Sequence, residues 1–127
     1  MKKKGSILSD MRNNEKGYHI RKTRTDEMRY ETVMDLHTHT IASGHAYNTL
    51  REMAKAAADR GLEILGITEH APMMPGTCHN YYFHNLKTVP RELYGIRLFV
   101  GAELNILNPQ GEVDLNEAEL RGMDIGI

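Results

Sequence analysis

Residues 49–68 read TLREMAKAAADRGLEILGIT, and this stretch decides the fold. Thr49 followed three positions later by Glu52 has the form of a capping box. Leu50, Met53, Ala54, Ala57 and Ala58 then recur at helical spacing and give the helix one apolar face. Gly61 supplies the left-handed residue that ends it. Leu62–Thr68 is a short apolar run and reads as a buried strand. Upstream, Thr32–Leu36 is a second such run, and residues 40–48 are small and polar around Gly44, a loop. The whole is a strand–helix–strand unit. Its short connections predict parallel pairing with a right-handed crossover.

Downstream, Pro72, Pro75 and Gly76 predict a long loop over 70–80, and a helix is expected around 86–94 in spite of Pro90. Residues 97–104 form a third strand. Asn108-Pro109-Gln110-Gly111 is a turn across which Ile106 can pair with Val113–Leu115. Met123–Ile127 reads as the start of a fourth core strand. Strands alternating with helices at this spacing predict an α/β barrel or a doubly wound sheet. A barrel takes about seven or eight such units, and the chain holds about half.

The bulk numbers bound what the protein does. Its 127 residues suffice for one small domain, and 40% apolar with 26% charged residues describes a globular chain. No apolar run approaches the ~20 residues of a membrane helix, and the basic N-terminus has no apolar segment behind it as a secretory signal would. The single cysteine, Cys78, excludes an internal disulfide, points to a reducing cytoplasm and reads as inert filler. Net charge is −1, but residues 1–30 hold nine Lys/Arg against four Asp/Glu while the remainder is acidic. A basic head can mark nucleic-acid binding. Residues 1–30 have no clean apolar period, however, so they are read as a disordered extension or as sequence upstream of the true start, with Met28 and Met34 as alternative initiators. Nucleic acid is not favoured as a partner.

The histidines carry the chemistry. His37 and His39 stand at the C-terminal end of the first strand, where a spacing of two places both side chains on one face. His70 lies just past the second strand, Glu103 ends the third, and His45 sits on the loop after the first. In a parallel α/β fold the C-terminal strand ends share one rim. Topology therefore gathers residues scattered over 67 positions, and packing gives no reason for titratable groups at successive strand ends. Imidazole with carboxylate suits zinc, manganese or iron.

Asp35-Leu36-His37-Thr38-His39-Thr40, Ala42-Ser43-Gly44-His45-Ala46-Tyr47, Ile67-Thr68-Glu69-His70 and Gly101-Ala102-Glu103-Leu104-Asn105 resemble the first motifs of the PHP (polymerase and histidinol phosphatase) family, in its YcdX-type phosphatase branch. The likeness runs from about Met34 to the last residue, so residues 31–127 are expected to form the N-terminal half of a PHP-type hydrolase domain. The resemblance implies the N-terminal part of a distorted (β/α)7 TIM-like barrel, incomplete in this chain. It implies two or three divalent ions, zinc or manganese, with His37, His39 and Glu103 as ligands of one and His45 and His70 of a second, Glu103 bridging to a third. Asp35, Glu69 and His79 are supporting or substrate-facing candidates, Glu69 standing where the branch commonly has Asp.

The activity so implied is metal-dependent hydrolysis of a small phosphate ester by a metal-bridged hydroxide, in the cytoplasm. The family's remaining ligands would lie beyond Ile127, so the chain is read as an N-terminal fragment that is itself inactive. The rival expectations are a non-catalytic metal-binding fragment of a truncated gene, and a nuclease or histidinol-phosphatase module.

Overall fold

The computed structural model describes residues 31–127. The expected disordered extension over 1–30, and His19 with it, lie outside the described residues. In chain order the described elements are β1 (Met34–Thr38), α1 (Leu50–Asp59), β2 (Ile64–His70), α2 (Asn80–Asn85), β3 (Glu92–Leu93), β4 (Ile96–Glu103), α3 (Glu117–Leu120) and β5 (Ile125–Gly126), with 3-10 turns at Ile41–Ser43 and Leu86–Thr88.

Helix α1 begins and ends as its sequence dictates. The Thr49 hydroxyl accepts from the Glu52 amide at 3.3 Å, and the Glu52 carboxylate accepts from the Thr49 amide at 2.7 Å. Such a cap is worth about 1 kcal/mol. Gly61 takes φ 82°, and the amides of Gly61 and Leu62 donate back to the carbonyls of Ala58 and Ala57. This is the Schellman pattern, which only a residue tolerant of left-handed backbone permits without cost. Ala54 and Ala57 are buried against Leu65, Ile67, Ile96 and Leu98, so α1 covers the lower half of β2 and β4. Phe83, Leu86 and Leu115 cover Val100 and Ala102 higher up. Each large aliphatic side chain buried in this way contributes about 1.5–3 kcal/mol. Cys78 packs half-buried at the edge of this second cluster, and burial pushes its thiol up, as suits an inert filler.

The sheet order is β1-β2-β4-β3, with β5 also on β4. β1, β2, β4 and β5 run parallel, as expected; β3 is antiparallel to the start of β4. The architecture is therefore α/β on a mainly parallel sheet, open among the described residues. None of their helices is long and apolar enough to cross a membrane.

Three expectations are revised. The helix placed around 86–94 lies at 80–85 and is followed by a 3-10 turn. Pro90 excludes helical backbone at the residue before it, and Val89 is extended (φ −72°, ψ 127°). Residues 92–93 instead pair with β4 through a two-residue turn at Tyr94 (φ 53°) and Gly95 (φ 79°), the double positive φ of a tight hairpin. The first strand runs 34–38 rather than 32–36, and among the described residues it is an edge strand with Val33 and Met34 exposed, not a buried one. The hairpin across residues 108–111 is present only as the single Ile106–Val113 bridge.

One irregularity shapes the rim. Asp35 pairs with Leu65 but Thr38 with Ile67, so β1 carries one residue more than β2 between those points. This bulge lies at Leu36–His37. The Leu36 backbone is pressed over Gly66, where a Cβ would stand 2.6 Å from the Leu36 carbonyl oxygen. Gly101, on the same face, is approached likewise by Ile125. Gly66→Ala is expected to cost roughly 1–3 kcal/mol as an overpacking change, measured by urea denaturation; an unchanged midpoint would mean that the bulge yields freely.

Candidate metal centre

The parallel register of β2 and β4 sets His70 directly against Glu103. Their side chains share the face of the sheet opposite α1, because Leu65, Ile67 and Glu69 alternate to the helix-covered side. β1 delivers His37 from its bulge and His39 from the residue beyond its end. Three imidazoles meet one carboxylate oxygen: Glu103 Oε2 lies 3.2 Å from His37 Nε2, 3.2 Å from His39 Nε2 and 3.0 Å from His70 Nδ1. His45 completes the group, its ring centroid 5.0 Å from that of His39 and 4.7 Å from that of His70. Two sets of donor atoms fall within 4.8 Å of one another: His37, His39 and Glu103, and His39, His45 and His70. His39 belongs to both.

The loop after β1 is fixed by its own chemistry. Thr40 caps the 3-10 turn, and Gly44 closes it with φ 77°. A Cβ on Gly44 would stand 2.2 Å from the Gly76 carbonyl oxygen, so the loops after β1 and β2 touch backbone to backbone. His45 Nδ1 lies 3.2 Å from the Ser43 carbonyl oxygen. A carbonyl only accepts, so Nδ1 carries the proton and Nε2 keeps a free lone pair.

Beneath the histidines lies a buried anion. Glu69 is fully buried. Its carboxylate accepts from the Thr40 amide at 3.1 Å, from the hydroxyls of Thr40 and Ser43, and from Tyr82 Oη at 3.4 Å. Ser43 Oγ in turn lies 3.0 Å from His39 Nδ1 and accepts from the His70 amide at 3.1 Å. No buried side-chain polar atom among the described residues lacks a partner.

The electrostatics follow from this packing. Burial, then the neighbouring His70, lowers the His39 pKa below 6.5; Glu103 and Glu69 oppose the shift without reversing it. For Glu103, burial works against ionisation, but the hydrogen bond from His37 and the charges of His70, His37 and His39 outweigh it and hold the carboxyl below its ordinary value. Burial, then the Glu69 charge, pushes the Tyr82 phenol well above its own.

The other sequence candidates stand apart from the cluster of five. Asp35 Oδ1 accepts from the His37 amide at 3.2 Å, supporting the bulge. His79 caps α2, its Nδ1 accepting from the Tyr81 amide. Glu69 faces away from the imidazoles and reaches them only through Ser43. Sequence reading missed Ser43, Thr40 and Tyr82. Ser43 stood within the quoted Ser-x-His stretch, but nothing in the spacing tied Tyr82 to Glu69. It also missed Asp114, which accepts from the amides of Asn105 (3.0 Å) and Met73 (2.9 Å) and ties the end of β4 to the loop after β2.

With Glu103 the nearest anion favouring its charged form, His39 is expected to titrate lower still in Glu103→Gln; an upward or absent shift in an NMR titration of its ring protons would break the electrostatic account.

Residues 35–122 match the family described as PHP domain. Among similar proteins are a probable phosphatase of Clostridium novyi, 50% identical over 95 residues, or 75% of this chain and 39% of that protein. A probable phosphatase of Caldanaerobacter subterraneus is 47% identical over 100 residues (79% and 39%), and one of Photobacterium profundum is 50% identical over 92 residues (72% and 37%). The chain thus spans less than two fifths of the length of these relatives.

Proposed function

This chain belongs to the PHP domain family, and from that premise we propose that it carries part of the metal centre of a phosphatase hydrolysing small phosphate esters. The observation that carries the reading is the convergence of His37, His39 and His70 on one Glu103 oxygen, with the His45 ring tilted against that of His70 beside them. Packing alone would not spend four imidazoles and a carboxylate there.

The donor set fits divalent ions. Four neutral imidazoles with one carboxylate match zinc or manganese, and two or three ions are proposed. Bound ions would supply a hydroxide at neutral pH and positive charge against the phosphoryl oxygens. The protein's own residues prepare for this. The depressed pKa of His39 keeps its ring neutral and ready as a donor at pH 7. Glu103 stays ionised beside it. The Ser43 carbonyl turns the bare nitrogen of His45 away from its own backbone. Asp35 is assigned to support of the His37 backbone, and His79, on the loop side of α2, to contact with the phosphate.

Turnover is proposed for the whole protein and metal binding for these residues, because the chain covers only 37–39% of its relatives. The same fact favours a second reading, in which the 127 residues bind metal without catalysis. Metal analysis and a p-nitrophenyl phosphate assay separate the two.

Substituting His37, His39, His70 or Glu103 by Ala in the full-length protein is expected to lower phosphatase turnover at least ~100-fold, about 2.7 kcal/mol of transition-state stabilisation. Wild-type turnover in these variants would refute the assignment. Zinc affinity is expected to hold at pH 7 and to fall as pH drops through 6.5 and below, where protons compete for the imidazoles; isothermal titration across that range checks the sign.

A further inference from the structure

A neutral imidazole can offer only its unprotonated nitrogen to an ion, so the position of the remaining proton decides whether His39 can serve. We propose that Glu69 is a positioning residue that acts through the Ser43 hydroxyl to hold the His39 proton on Nδ1, leaving Nε2 bare toward Glu103. The inference rests on the metal reading for its purpose but not for its geometry.

The proton inventory is closed. The Glu69 carboxylate only accepts, and it takes the Ser43 hydroxyl hydrogen. Ser43 has no second hydrogen to give. Its oxygen already accepts from the His70 amide, and its contact with His39 Nδ1 at 3.0 Å must therefore be a second acceptance. The His39 ring donates from Nδ1. The competing arrangement would place the proton on Nε2 and direct it to Glu103, 3.2 Å away. In the metal-free chain Glu103 has two other imidazoles to accept from, because His37 and His70 approach the same oxygen at 3.2 and 3.0 Å. Ser43 and Nδ1, by contrast, would then face each other with lone pairs only. Ser43 also binds the His70 amide, so one hydroxyl holds two of the imidazole-bearing residues against one buried anion.

Glu69→Gln tests this at constant shape. Oε1 of Glu69 meets the Thr40 hydroxyl and Tyr82, whereas Oε2 meets Ser43, and the Thr40 amide reaches both. The Gln oxygen would take the Oε1 place, where more donors point, and its NH2 would face Ser43. Ser43 would then accept from the amide and turn its own hydrogen to His39 Nδ1, moving the ring proton to Nε2. The tautomer is read from ring 15N shifts in the metal-free 127-residue chain, and zinc affinity by calorimetry. The expected results are Nδ1–H in wild type, Nε2–H in Glu69→Gln and in Ser43→Ala, a roughly 10–100-fold weaker zinc affinity in both, and wild-type behaviour in Glu69→Asp, which keeps the carboxylate. Nε2–H in wild type overturns the proposal without any variant, as does a Glu69→Gln chain with unchanged tautomer and affinity. A wild-type chain with Nδ1–H that takes up no zinc would instead overturn the metal reading alone.

Discussion

Seven consecutive residues of β2 lie against β4 in unbroken parallel register, from Ile64 opposite Arg97 to His70 opposite Glu103. Everything at the site is referred to that pairing. It fixes the height at which the imidazole and the carboxylate meet, and it does so with backbone hydrogen bonds that cannot slip by one residue without exchanging the two faces of the strand. The adjoining β1 is not held to the same register. Its bulge gives it the freedom to present His37 and His39 to an oxygen that β2 and β4 have already placed.

Below this layer the polar interior is organised around one anion rather than around several weak contacts. Glu69 collects an amide and three hydroxyls from Thr40, Ser43 and Tyr82. A buried carboxylate is tolerable only when its lone pairs are filled in this way. The loop after β1 and the helix after β2 are thus bound to the same side chain. The Gly44–Gly76 approach and the Asp114 bonds close the remaining gaps around the rim.

How much of this was legible beforehand differs by element. The capping box at Thr49–Glu52 and the Gly61 terminus were legible because they are local, needing only residues within one helical turn of each other. The parallel pairing of β1 with β2 followed from the short connections of the strand–helix–strand unit, and the cluster of five followed from strand ends sharing a rim. The segment 80–95 was misplaced because its apolar positions fit more than one period, and Pro90 decided the matter through Val89 rather than through any pattern. The bulge was invisible: nothing in Asp35–Thr38 announces an extra residue, and its counterpart, Gly66, lies on another strand. The Glu69–Tyr82 contact depends on where α2 docks, which spacing along the chain does not encode.

The adjacency of Glu69 and His70 has a consequence for how such a chain can change over time. One side chain is committed to the covered side of β2 and the next to the open side. Substitution at either position leaves the facing of the strand unchanged. A single inserted or deleted residue anywhere between Ile64 and His70 would exchange the two, burying an imidazole under the helices and lifting the anion among the histidines. The strand can therefore drift in composition but not in length. The same event in β1 has a different fate, because an extra residue there is already absorbed by the bulge over Gly66.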